Sequence, residues 1–110
     1  MAKYLFVVLT NAADGRDAEF NDWYDNQHIA DVLRVPGFVS AQRFNIASQP
    51  APYAYLTLYE IETDDLAATQ AALGKAAGSP AMPMSSSLDT QNIIASWFAP
   101  AGAKITAVPA

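Results

Sequence analysis

Residues 53–62 read Tyr-Ala-Tyr-Leu-Thr-Leu-Tyr-Glu-Ile-Glu. Side chains alternate across a strand, so Leu56 and Leu58 face one way and Tyr53, Tyr55, Tyr59 and Ile61 the other. A strand with one solvated face should be polar on that face. Here one face is aliphatic and the other largely aromatic. Lys3–Thr10 (KYLFVVLT) repeats the pattern, with Leu5, Val7 and Leu9 alternating with Tyr4, Phe6 and Val8. A sheet built on these two strands has apolar surface to bury on both sides.

Working outward, the remaining elements alternate with them. Asn11–Gly15 is a turn by its Asn, Asp and Gly content. Arg16 to about His28 reads as a helix with Asp14 as N-cap, and Asp17 and Glu19 complement the dipole in its first turn. Pro36-Gly37 closes the helical region. Phe38–Ile46 is a second strand, residues 47–52 a loop, and Tyr53–Glu62 the third strand. Thr63, Asp64 and Asp65 offer caps for a helix over Leu66–Ala77, closed by Gly78. Residues 79–87 form a loop, Asn92–Ala99 a fourth strand, and the tail from Pro100 has no clear element. The order is β-α-β-β-α-β in one domain spanning residues 1–110, which predicts an α+β, ferredoxin-like fold: a four-stranded antiparallel sheet with both helices on one face. The helices cover one side. A second copy of the sheet, packed face to face as a dimeric α+β barrel, is the simplest cover for the other. The alternative is that the C-terminal tail folds over it.

Composition narrows the function classes. Of the 110 residues, 52% are hydrophobic and 15% charged, an apolar balance that leaves surface for a second subunit. The net charge is −5 and the six basic residues are scattered, which argues against nucleic-acid binding. No apolar run reaches the roughly 20 residues of a membrane span. The start lacks the pattern of a signal peptide, so a cytoplasmic location is expected. One histidine and no cysteine cannot assemble a zinc site, although a lone histidine could serve as an axial heme ligand. No glycine-rich phosphate loop and no GxSxG elbow occur. No metal and no cofactor is expected.

Chemistry concentrates in residues 19–44 (EFNDWYDNQHIADVLRVPGFVSAQRF). On a helix Phe20, Tyr24 and His28 form one i, i+4, i+8 line, with Trp23 on its flank and Asp31 near it if the helix continues. This puts the only imidazole at the edge of a buried stripe, where it can exchange a proton near neutral pH. Tyr24, one turn away, can polarise a substrate oxygen. Asp25 and Asp31, three residues to either side, can orient the ring. A structural His28, bonded to backbone at a helix end, is the competing reading. Arg43 on the second strand can reach a substrate carboxylate or pair with an acidic residue across a dimer.

These residues also carry a resemblance. Trp23-Tyr24-(three residues)-His28, Val35-Pro36-Gly37-Phe38 and Ala41-(one)-Arg43-Phe44 are similar to the EthD-like family of the dimeric α+β barrel superfamily. Proline often stands two residues after that histidine; here the position is Ala30, which leaves the helix break open. The resemblance implies a homodimer with a pocket between sheet and helices in each subunit. It also implies chemistry that in many members uses no cofactor. Monooxygenases, cyclases, dehydratases, isomerases and heme-handling enzymes share the superfamily, and fold does not choose among them.

Three functions follow as expectations. In the first, a cofactor-independent enzyme acts on a hydrophobic, aromatic or polyketide-like molecule as a lyase, isomerase, dehydratase or cyclase. His28 is its general base or acid, Tyr24 bonds a developing oxyanion, and Phe20, Trp23, Asp31, Arg43 and Trp97 bind substrate. In the second, the protein is a cofactor-independent monooxygenase with Trp23 and Trp97 lining the pocket. In the third, it is a non-catalytic small-molecule-binding or stress-response dimer.

Overall fold

The two strands with doubly apolar faces lie at the centre of the sheet. In the computed structural model, which describes residues 1–48 and 50–109, they are β1 (Ala2–Thr10) and β3 (Tyr55–Thr63). They pair antiparallel with Phe6 opposite Tyr59 and Val7 opposite Leu58. β2 (Phe38–Asn45) flanks β3 and β4 (Ile94–Phe98) flanks β1, giving the order β2-β3-β1-β4 with every pair antiparallel. This is the expected ferredoxin-like α+β sheet. Gln49, in the expected loop, and Ala110, ending the tail, lie outside the described residues.

The helical layer departs from expectation in one place. The first helix runs on past His28 as α1 (Asp17–Trp23), a π-helical turn (Tyr24–His28) and α2 (Ile29–Leu33). The backbone stays helical through both junctions, and the Ile29 N–H donates to the Tyr24 carbonyl five residues back. Ala30 keeps the N–H and the backbone freedom that a proline would remove, so no break follows the histidine. Nor does Asp14 cap the helix: Arg16 occupies the N-cap position and no side chain bonds there. The second helix, α3 (Leu66–Ala76), behaves as read, with the Asp65 carboxylate accepting from the Ala68 N–H at 3.1 Å.

Both helical segments cover the same sheet face. Phe6, Val8, Phe38, Tyr59 and Ile61 from the strands pack with Val32, Val35 and Met82, and Ala72, Leu73 and Ala76 of α3 lean on them. Phe20, Tyr24 and Leu88 make a second cluster beside it. A register shift between Phe38 and Ser40 changes the parity of β2. Phe38 and, beyond the shift, Ala41 and Arg43 therefore share the helix-facing side. Gly37 (φ +100°) starts this strand where an added Cβ would lie 3.0 Å from Thr69 Oγ1, so glycine is required twice over.

The other face is open. The pairings align Phe44, Leu56, Leu9 and Ile94 in one row across all four strands, with Leu58 and Val7 in the next and Leu5 and Phe98 in the third. Phe44, Leu5, Ile94 and Phe98 are 39–53% exposed. The tail does not cover them: residues 99–109 are exposed throughout, Ile105 at 93% and Val108 at 89%. Among the described residues no helix is long and apolar enough to cross a membrane.

Candidate functional site

A cavity of about 230 Å³ lies between the covered sheet face and the helices. Phe6, Val8 and Thr10 of β1 and Tyr59 of β3 form its floor. Trp23, Tyr24, His28 and Val32 form one wall, and Met82, Met84 and Leu88 from the segment after α3 another. The π turn explains the first wall. At 3.6 residues per turn, each step of four overshoots a full turn by about 40°. One wider turn takes back part of that drift. Phe20, Tyr24, His28 and Val32 thus all stay buried, at 0%, 2%, 8% and 3% exposure. Such turns recur at functional sites.

His28 is held by rings. It stacks on Trp23, with centroids 4.5 Å apart and 24° between planes, and meets the edge of Tyr24 at 5.0 Å. Burial lowers its pKa from 6.5 to about 4, and the charge of Asp31 opposes this without cancelling it. The imidazole is therefore uncharged at neutral pH.

The polar atoms of the lining divide sharply. Thr10 Oγ1, Tyr59 Oη and His28 Nδ1 are sealed from solvent without a partner. Trp23 Nε1 donates to the Pro83 carbonyl at 3.3 Å. Among the described residues, Tyr24 Oη and His28 Nε2 are the lining atoms neither sealed nor in a well-formed hydrogen bond, the Tyr24 hydroxyl lying beside that of Tyr59. The cavity is otherwise apolar, and no charged side chain lines it.

The other expected site residues lie elsewhere. Phe20 is fully buried beneath this wall, its ring 5.4 Å from that of Tyr24. Trp97 stacks on Phe6 at 4.1 Å and packs against Phe38, within the core rather than on the cavity. Asp31 is buried and accepts from Arg34 Nη1 at 2.6 Å, outside the cavity. Arg43 donates to Asp25 Oδ1 and Asn21 Oδ1, both at 2.8 Å, so its ion pair lies within the chain. Its guanidinium carbon lies 4.6 Å from the centre of the Tyr24 ring, a cation–π contact that steadies Tyr24 from outside the cavity. Among the described residues no group of three or more metal-binding side chains occurs. Sequence reasoning missed Tyr59 and Thr10 as floor residues. The aromatic face of residues 53–61 was the signal for Tyr59; Thr10 left none.

Two expected results follow from these environments. First, unfolded His28 titrates near 6.5 and folded His28 near 4. Between those values the unfolded chain binds a proton that the folded chain refuses. The stability penalty is absent above pH 6.5, grows as the pH falls, and reaches about 3 kcal/mol near pH 4. Urea denaturation across this range should show His28→Gln losing that part of the slope; parallel curves for the two proteins would show an ordinary histidine. Second, the Tyr59 hydroxyl is buried with no partner. Tyr59→Phe removes an uncompensated polar group and should stabilise the fold by about 1 kcal/mol, read from the same denaturation.

The protein is an α+β sandwich of one sheet and its helices, enclosing an apolar cavity marked by a histidine and a tyrosine. The sequence matches no family model and no curated protein. The fold is shared with solved structures. A candidate monooxygenase from Shewanella loihica PV-4 aligns with TM-score 0.63 at 14% identity, covering 93% of this chain and 97% of that one. An EthD family protein from Bacillus halodurans aligns with TM-score 0.56 at 16% identity over 96% and 100% of the two chains. A DABB family protein with a ferredoxin-like fold, from Mesorhizobium loti, gives 0.55 at 13% over 93% and 100%. The chain thus shares the ferredoxin-like α+β fold of these proteins, among them an EthD family protein, the family that the sequence resembles.

Proposed function

We propose that this protein is a cofactor-independent enzyme that binds a small hydrophobic molecule in this cavity and stabilises negative charge developing on one of its oxygens. The carrying observation is that, among the described residues, Tyr24 Oη and His28 Nε2 are the side-chain polar atoms of the lining neither sealed from solvent nor in a well-formed hydrogen bond, with the Tyr59 hydroxyl beside that of Tyr24. The tautomer follows from the other ring nitrogen. An orphaned N–H is rarer than an under-satisfied acceptor, so the unpartnered Nδ1 holds the lone pair and Nε2 the proton. With a pKa of about 4, His28 is a weak base. Its role is therefore narrower than general acid–base catalysis: a neutral imidazole donating through Nε2–H beside the Tyr24 hydroxyl. Two such donors on an otherwise apolar wall match an enolate or phenolate oxygen. Proton-shift chemistry of the isomerase, lyase, dehydratase or cyclase type is the class this serves, with the proton passing to water because no lining side chain is an effective base.

The open sheet face supports a homodimer built sheet to sheet: the apolar row Phe44–Leu56–Leu9–Ile94, with Leu58, Val7, Leu5 and Phe98 beside it and Gln42, Ser96, Ser40 and Glu60 towards the margins, has no cover among the described residues.

The test is deuterium incorporation next to the carbonyl of small cyclic ketones in heavy water, followed by NMR. Wild-type protein should accelerate exchange and the Tyr24→Phe/His28→Phe double variant, which has neither donor, should not. Equal exchange with both would reject the reading. The candidate monooxygenase that shares the fold motivates one alternative. Oxygen uptake during turnover would favour that alternative, and binding without either reaction would favour a non-catalytic ligand carrier.

A further inference from the structure

The cavity's polar inventory also constrains what it admits. None of its lining side chains is charged, and at neutral pH His28 is uncharged too. The charged groups nearest the His28 wall are committed elsewhere: Asp31 to Arg34, and Arg43 to Asp25 and Asn21. Tyr59 faces the cavity from β3 with its hydroxyl sealed. A ligand anion entering here would lose its hydration and meet no cation. The volume of about 230 Å³ falls below the ~300–1,000 Å³ usual for drug-sized ligands, which restricts the occupant to one or two rings.

We infer that the cavity selects an uncharged one- or two-ring molecule bearing a single acceptor oxygen, a cyclic ketone in type, and rejects its carboxylate counterpart. This selectivity rests on the reading of Tyr24 and His28 as paired donors. It adds a discrimination that the reading does not require, because two donors in a site holding a counter-charge would prefer the anion.

Three probes of one skeleton separate the contributions: tetralin, with no oxygen; α-tetralone, with one carbonyl; and tetralin carboxylate. Calorimetric titration of the full chain at neutral pH should rank them tetralone, tetralin, carboxylate. Two hydrogen bonds should favour tetralone over tetralin by about tenfold or more. The uncompensated charge should place the carboxylate at least about a hundredfold below tetralone. Tyr24→Phe/His28→Phe should bind tetralone and tetralin alike while the carboxylate stays excluded, since that exclusion comes from the lining. A carboxylate that binds as well as tetralone would overturn the selectivity and leave the donor reading standing. Tetralone no better than tetralin would overturn both. Failure of all three to bind would remove the cavity as a ligand site, and this inference with it.

Discussion

Leu58→Arg should break the proposed sheet-to-sheet homodimer, with its dissociation constant raised at least about a thousandfold. Analytical ultracentrifugation across a concentration series reads the effect, and circular dichroism checks that the chain remains folded. Leu58 sits beside Val7 in the middle row of the open face, flanked by the Phe44–Leu56–Leu9–Ile94 row and by Leu5 and Phe98. In a two-fold interface every substitution occurs twice. Each guanidinium would be buried among apolar side chains with only Glu60, already bonded by Ser40, in reach on its own strand, at a cost of several kcal/mol. In the isolated chain the same arginine reaches water from a half-exposed position, so the monomer tolerates it. A variant that stays dimeric would move the interface elsewhere and leave these rows unexplained.

Removing the two cavity donors should have the largest catalytic effect. Tyr24→Phe or His28→Phe alone, each of which keeps a ring and removes a donor, should reduce the enzyme-dependent exchange by about 10²–10³-fold, the usual cost of one oxyanion donor. The double variant should lose far less than the product of the two, because both donors serve one oxygen and act as a unit. Two control measurements separate catalysis from folding. Tyr24→Phe keeps the ring that Arg43 and Phe20 contact, so its denaturation midpoint should stay close to wild type. Binding of tetralin, which uses no donor, should also survive both changes. An exchange rate that follows the loss of stability rather than the loss of donors would make Tyr24 and His28 packing residues.

Much of this site was legible in the sequence because it depends on local periodicity. Alternation in β1 and β3 disclosed two apolar sheet faces, and the four-residue spacing of Phe20, Tyr24 and His28 disclosed the helix wall. The rest depends on distances between elements. The π turn left no periodic trace, since one extra residue in a turn resembles ordinary helical drift. Trp97 and Trp23 look equivalent as sequence, yet β1–β4 pairing sets Trp97 opposite Phe6 in the core, whereas Trp23 turns over the histidine. Arg43 was read on its strand, but the register shift that aims it at the helices and at Asp25 is invisible without the pairing. The alternative of a tail folded over the sheet was plausible by composition; the exposure of Ile105 and Val108 excludes it.

The stacking of His28 on Trp23 makes the cavity optically self-reporting. Indole emission is quenched by a protonated imidazole in van der Waals contact and shifts in colour when water is displaced around it. Trp97, the only other indole, is clamped against Phe6 and does not line the cavity, so it supplies a steady background. Occupancy and the protonation of His28 can thus both be followed in the unlabelled protein from the brightness of a single side chain.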